Sequence, residues 1–171
     1  MIRTTVFVCL LLCSLSTAHL SAQEAKISSG DIRFEFVHNG VKGTFGGFKS
    51  ASTINWDALD QSVFKGSVES KTISTRNGLR NWSLRSGKYF DVDDYPFISF
   101  ESTKVEQQGA NILVTGNLTI KSTTKTVTIN FTREKNQLIG LFSLYSSDYG
   151  IKIKKKREDN LVRGRLVFGI E

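Results

Sequence analysis

The sequence predicts an all-β fold of about eight short antiparallel strands, closed as a barrel or stacked as a sandwich. Three observations carry this. Apolar and polar residues alternate with a period of two through most of the chain after residue 30. Turn signals recur about every 8 to 15 residues. A single proline, Pro96, leaves most strands free to pair. Closure into a barrel also removes the exposed edges that long Val/Ile/Phe strands would otherwise present. No internal repeat of about 20 to 50 residues and no low-complexity linker divides the chain.

Residues 1–22 read as a signal peptide. Arg3 gives a positive start, Val6 to Leu15 is an apolar run, and Ser21-Ala22 offers small residues for cleavage before Gln23. The run is shorter than the roughly 20 residues of a membrane span. A single domain, residues 23–171, would remain. At about 150 residues it buries about two-thirds of its unfolded surface. Both cysteines, Cys9 and Cys13, fall in the leader. The domain therefore has no disulfide framework, thiol nucleophile or cysteine zinc site. A signal peptide implies a periplasmic or secreted protein. The net charge of +7 then suits an anionic membrane surface or a phosphate head, with plain solubility as the bland alternative and no nucleic-acid partner.

Gln23 to Ser29 reads as a polar lead-in. Ile32, Phe34, Phe36 and His38 then form one face of a strand that ends at the hairpin signal Asn39-Gly40. Gly43, Gly46 and Gly47 mark bends of the kind that close small barrels. Ser52 to Trp56 is a further strand. Phe64, Gly66, Val68, Ser70 and Thr72 alternate with charged and small residues. Asn77-Gly78 turns into residues 79–102, the one stretch without a simple period of two. Leu79 and Trp82 recur at helical spacing, which predicts a short helix near residues 79–86, stopped at Gly87. Tyr89 and Phe90, the acidic turn Asp91 to Asp94 and Pro96 follow. Ile98, Phe100 and Ser102 resume strand spacing.

Beyond this point the alternation is cleanest. Ile112, Val114, Gly116, Leu118 and Ile120 share one face. A turn is expected at Ser122 to Lys125, then Val127, Ile129 and Phe131 alternate with threonines. A turn at Lys135-Asn136 precedes Phe142 and Leu144. The chain closes on Val162, Gly164, Leu166, Phe168 and Ile170, all on one face.

The chemistry of common enzymes is missing. There is no phosphate loop, dinucleotide fingerprint or nucleophile elbow. His38, the only histidine after the leader, cannot build a histidine metal site alone. Asp91, Asp93 and Asp94 lack the glycine and distal glutamate of a calcium loop and read as a solubilising cap. Lys152, Lys154, Lys155, Lys156 and Arg157 form a basic hairpin tip, either simply solvated or a rim that attracts anions.

Three segments resemble one family in order. They are Gly40 to Phe48 with His38 before it, the run Arg80, Leu84, Phe90-Asp91, Tyr95-Pro96, Phe100-x-Ser102, and Gly116 to Phe131. This pattern is similar to the YceI-like family, bacterial periplasmic proteins with a lipocalin-like barrel that binds polyisoprenoids. Where that family has Arg-Asp-x-His-Leu, this chain has Arg80-Asn81-Trp82-Ser83-Leu84. It has Ser146 where the family has an arginine. An ionisable network expected there is reduced.

The resemblance implies a lipocalin-like β-barrel and a non-enzymatic carrier of a long isoprenoid lipid or quinone tail, with no other cofactor. The rivals are a filled barrel acting as a stress or interaction module and, behind it, an enzyme acting on an isoprenoid. Shared parity places Phe34, Phe36, Val68, Ile98, Phe100, Leu118, Ile129 and Phe142 inside the barrel, with His38 at its mouth and Trp82, Tyr89 and Phe90 on the lid. Glycines and hydroxyls on the same faces (Gly66, Ser70, Gly116, Gly164) are expected to leave room for the ligand. A homodimer is also compatible with the sequence.

Overall fold

A computed structural model describes residues 24–171; the expected leader lies outside them. Ten strands and one α-helix follow in chain order. They are β1 (Glu24–Phe36), β2 (Val41–Phe45), β3 (Lys49–Ser50), β4 (Thr53–Asn55), β5 (Lys65–Glu69), α1 (Gly78–Arg85), β6 (Phe97–Gln108), β7 (Asn111–Ile120), β8 (Thr123–Glu134), β9 (Gln137–Tyr145) and β10 (Leu161–Ile170). Eight of these strands have five residues or more; β3 and β4 are short pieces.

All pairings are antiparallel, in the order β2-β1-β10-β9-β8-β7-β6-β5-β3, with β4 joined to β1 off that path. The sheet curls until its two ends meet. β1 pairs with β10 along one edge. Along the other it pairs with β4 at Glu24–Lys26 and with β2 at Ile32–Phe36. The remaining gap is bridged by main-chain bonds: Glu69 N–H to Gly46 O (3.1 Å), Thr44 with Ser74, Thr53 with Val63, and Ser102 N–H to Phe64 O (2.8 Å). This is the expected antiparallel barrel.

Three consecutive hairpins have two-residue loops whose first residue is left-handed: Gly109 (φ 59), Lys121 (φ 55) and Lys135 (φ 53). The turn expected at Ser122 to Lys125 is instead Lys121-Ser122. β-branched threonines carry β8 back to Thr123, and the Thr119 and Thr124 hydroxyls bond across the ladder at 2.8 Å.

Two bulges shift side-chain parity. In β1 the register slips between Ile27 and Ser29, so Ala25 and Ile27 are buried before it and Ile32, Phe34 and Phe36 point inward after it. The supposed polar lead-in is therefore the first half of a long strand. In β6 a slip between Ser102 and Lys104 turns Val105 into the core. The strand expected to run through Ser70 and Thr72 stops at Glu69 and becomes a 3-10 turn.

Helix α1 sits where the sequence places it. Asn77 caps it, its side chain accepting from the Arg80 N–H at 2.9 Å. Asn81 and Arg85 hold it down: Asn81 Oδ1 accepts from Thr75 N–H and Thr75 Oγ1 at 2.8 Å each, and Arg85 donates to Ile73 O at 3.2 Å. The helix ends at Ser86 in an extended conformation, not at a left-handed Gly87. The left-handed residue is Asp91 (φ 51), placed so that Phe90 N–H donates to Leu84 O at 2.9 Å and Val92 N–H to Arg85 O at 3.1 Å.

The main core fills one end of the barrel, with Ile54, Val114, Phe131 and Leu138 almost fully buried. A smaller cluster of Ile120, Tyr149 and Ile151, flanked by Tyr89 and Phe90, closes the other. The glycines expected to leave room do something different. The space over Gly116 is taken by the Phe100 ring, and that over Gly164 by the Phe142 ring. Large rings lie flat across strands that carry no side chain there.

A methyl group on Gly164 would overlap the Phe142 ring. Gly164→Ala should therefore lower unfolding stability by about 1–3 kcal/mol, the usual cost of overpacking. Urea denaturation checks this, and an unchanged midpoint would show that Phe142 is free to move aside.

Candidate ligand-binding site

The inward faces of the strands do not fill the barrel. They enclose an inner chamber of about 170 Å³ with almost wholly apolar walls. Phe34 reaches it from β1, Val68 from β5, Ile98 and Phe100 from β6, Leu118 from β7, Ile129 from β8 and Phe142 from β9. Strand parity places each of these. At its margin the Ser52 hydroxyl is already engaged, donating to Lys65 O at 3.1 Å and accepting from Lys65 N–H at 3.0 Å.

An outer chamber of about 200 Å³ lies above it. The β1–β2 hairpin (Phe36, Val41), helix α1 (Arg80, Leu84), Tyr89 and Ile153 form its walls. Phe34, Phe90 and Val162 line both chambers and so form the partition between them. Phe45 braces this partition, its ring centroid 5.4 Å from that of Phe34 and 5.6 Å from that of Phe90 in an edge-on contact.

Three expected site residues stand elsewhere. Phe36 is buried but lines the outer chamber, because β1 ends there and the inner chamber lies one turn of pleat deeper. Trp82 is 75% exposed and touches neither chamber, because α1 turns Asn81 and Arg85 inward and leaves Trp82 on its outer face. His38 also lines neither. It lies in the 3-10 turn Val37–Asn39 with Nδ1 3.3 Å from Asp159 Oδ1, so it ties the β1–β2 hairpin to the loop before β10.

The inner chamber also has walls that parity arguments missed. Phe45 and Phe48 come from the glycine-rich bend. They are apolar residues on either side of Gly46-Gly47, and the bend hides their periodicity. Phe48 stacks on Phe168 with centroids 5.0 Å apart, and Phe64 on Phe131 at 5.4 Å.

The loop between β9 and β10, residues 146–160, roofs one side of the mouth. Asn160 is fully buried within it. Its Oδ1 accepts from the N–H groups of Ile153 and Lys154 at 2.9 Å each, and its Nδ2 donates to Lys154 O (3.0 Å) and Lys156 O (2.6 Å). Arg157 grips Asp148 with two hydrogen bonds of 2.7 and 2.5 Å and lies 3.8 Å above the Tyr145 ring. The Arg157 guanidinium holds the Asp148 carboxyl below the usual carboxylate range. Next to it, Tyr149 is buried with no protein partner for its hydroxyl. Burial first, and the Asp148 charge second, push it up to about 12. Among the described residues no group of three or more His, Cys, Asp or Glu gathers as a metal site.

A lidded antiparallel barrel with an apolar, aromatic interior is a fold of the lipocalin-like kind. The chain belongs to the YceI-like family, whose domain model matches residues 19–168. It is 33% identical over 112 residues to a UPF0312 protein of Pseudomonas aeruginosa, covering 64% of this chain and 56% of that one. It is 33% identical over 101 residues to Protein YceI of Salmonella arizonae, covering 57% and 53%. These matches span about half the length of each relative.

Among solved structures, BcnA of Burkholderia cenocepacia is similar in fold, with a TM-score of 0.73 at 17% identity over 83% of this chain and 96% of that one. A polyisoprenoid-binding domain from Saccharophagus degradans is similar with a TM-score of 0.60 at 13% identity, covering 88% and 98%.

The phenol of Tyr149 gives a pH test. Its folded-state value lies above the ordinary value of 10, so its contribution is fully present below pH 10 and is lost as pH rises toward about 12. The loss is on the order of 2 kcal/mol. Tyr149→Phe should leave the neutral-pH fold intact and flatten the fall in stability between pH 10 and 12, measured by thermal unfolding. An equal alkaline fall in both proteins would place the cause in other groups.

Proposed function

We propose that the protein is an exported, non-enzymatic lipid-binding protein that holds a long isoprenoid-type chain in its barrel for transport, storage or sequestration. The observation that carries this is the inner chamber, whose walls are almost wholly apolar and come from eight strands. Family membership and the polyisoprenoid-binding neighbour support the ligand class. The apolar leader supports export to the periplasm or beyond.

Size sets how the ligand would sit. Neither chamber reaches the roughly 300 Å³ of ordinary small-molecule pockets alone. A long chain must therefore thread both, passing between Phe34 and Phe90. Burying about 400 Å² of such a chain contributes about 10 kcal/mol. Ordering the flexible ligand offsets much of this, which leaves micromolar binding within reach.

Mass spectrometry of an organic extract of the purified native protein should show a lipid with an isoprenoid tail. Val68→Trp puts an indole into the inner chamber. Isoprenoid binding should fall at least tenfold while stability stays within about 1 kcal/mol of wild type, less than the 1–3 kcal/mol that overpacking a solid core costs. A protein that unfolds on this change, and whose parent extracts no lipid, has a filled barrel and is no carrier. Phe90→Ala removes one of the three partition residues and should speed ligand entry and exit several-fold in stopped-flow fluorescence with a polyene probe. Unchanged rates would move the entry route away from the outer chamber.

A further inference from the structure

Every lid element sits at one end of the barrel. Antiparallel pairing brings the β1–β2 hairpin, the β7–β8 hairpin and the β9–β10 loop to the same end. α1 and Ile153 of that loop are opposite walls of the outer chamber. The same end carries large apolar side chains in water. Leu79 is 84% exposed, Trp82 75% and Ile153 37%. Leu79 and Trp82 are three residues apart on α1, so they share its outer face. Nothing in the fold uses this face, since Asn77, Asn81 and Arg85 make the contacts that hold the helix.

Cations surround these residues. α1 carries Arg80 and Arg85 and no acidic residue, and Arg76 precedes it. The loop opposite contributes Lys152, Lys154, Lys155 and Lys156, none of which forms an ion pair among the described residues. Two of the three acidic groups in that loop are already occupied, Asp148 by Arg157 and Asp159 beside His38. Buried Asn160 holds the backbone of Ile153, Lys154 and Lys156, so the lysines are displayed from a folded tip. The exposed carboxylates Asp93 and Asp94 follow α1 in the turn that Tyr95 closes. Lys121 lies 5.8 Å above the Tyr95 ring and donates to Gly87 O, which gives that side of the mouth a cation of its own.

We infer that this end of the barrel is a membrane-docking collar. Leu79, Trp82 and Ile153 enter the interface of an anionic lipid bilayer, and the surrounding lysines and arginines bind its head groups, so that the outer chamber opens against the lipid. The inference rests on the lipid-carrier reading and adds where the ligand is collected and delivered. Charge complementarity selects the occupant. An aromatic and two aliphatic side chains inside a ring of cations match the boundary between acyl chains and anionic heads. An acidic protein would meet the cations equally well but would not need three separated apolar side chains standing free in water.

The two tryptophans make the collar readable. Trp56 lies under the Arg133 guanidinium at 3.9 Å, on the other end of the barrel. In a Trp56→Phe background Trp82 is the only indole. With vesicles of one part phosphatidylglycerol to three of phosphatidylcholine, brominated at acyl positions 6 and 7, its emission should shift to the blue and be quenched. Because quenching reports one indole, binding through any other part of the chain leaves it bright. Replacing Lys154, Lys155 and Lys156 by Gln should weaken partition by about fivefold per charge at low salt, and less at high salt. Leu79→Ser should reduce it further while isoprenoid binding in detergent solution stays at wild-type level. A bright, unshifted Trp82 on saturating anionic vesicles overturns the collar, whether or not the protein extracts a lipid. Failure of lipid extraction alone overturns the carrier reading instead. Equal quenching by pure phosphatidylcholine vesicles would also sink the proposal, since the cations would then play no part.

Discussion

β1 hydrogen-bonds to β10 along one edge and to β4 and then β2 along the other, and the barrel depends on that double engagement. A curled sheet of this size would otherwise leave two edges open to other chains. The slip between Ile27 and Ser29 lets one thirteen-residue strand serve two neighbours, because the bulge bends the strand and resets which side chains face inward. The short pieces β3 and β4 then have only to span the gap. They do so with main-chain bonds and with serines: Ser52 satisfies Lys65 in both directions, and Ser62 Oγ accepts from Asn55 N–H at 2.9 Å. Polar groups that parity alone would assign to the ligand are consumed in closing the ring.

The cavity is a by-product of how phenylalanine packs in this ring. Small barrels fill their taper by alternating large and small residues. Here the small residues are glycines, and the large ones lie across them: Phe142 over Gly164, Phe100 over Gly116, Phe131 over Gly140. A ring lying flat against the wall covers backbone without reaching the axis. The result is a dense wall around an open middle at the lid end. Toward the other end Ile54, Val114, Phe131 and Leu138 meet and the barrel is solid. The inner chamber therefore has a floor; it shares Phe34, Phe90 and Val162 with the outer chamber at the mouth, and Gly66, Ser67, Ser99 and Phe100 with a more polar hollow beside β5 and β6.

Much of this was legible in the sequence. Period-two alternation located the long strands, and parity put Phe34, Val68, Ile98, Phe100, Leu118, Ile129 and Phe142 on the chamber wall. The break in that period located α1. What alternation cannot express is what was missed. Bulges reverse parity, which hid Ala25, Ile27 and Val105. The glycine-rich bend has no period, which hid Phe45 and Phe48. Trp82 lies on the lid helix as its spacing predicts, but which way it faces on a two-turn helix is decided by the helix's polar anchors. Asn81 and Arg85 reach Thr75 and Ile73, and that rotation sends Trp82 outward. His38 had the right parity, yet the strand ends at Phe36, and a 3-10 turn hands the imidazole to Asp159 instead of the chamber.

The two ends of the barrel solve opposite problems. At the floor, the chain needs a fixed shape, and two-residue hairpins with left-handed first residues supply it at little length. At the mouth, a carrier needs walls that keep water out yet yield to a ligand, which favours elements held by few contacts. α1 has no buried residue of its own and is held by side-chain hydrogen bonds to residues 73 and 75. Opening it would expose little apolar surface, so its local stability is low by construction. The β9–β10 loop is the stiffer jaw, because a fully buried Asn160 organises four main-chain groups around one amide. The two walls beside Phe90 are thus held differently, the helix by a few side-chain hydrogen bonds and the loop by one buried amide.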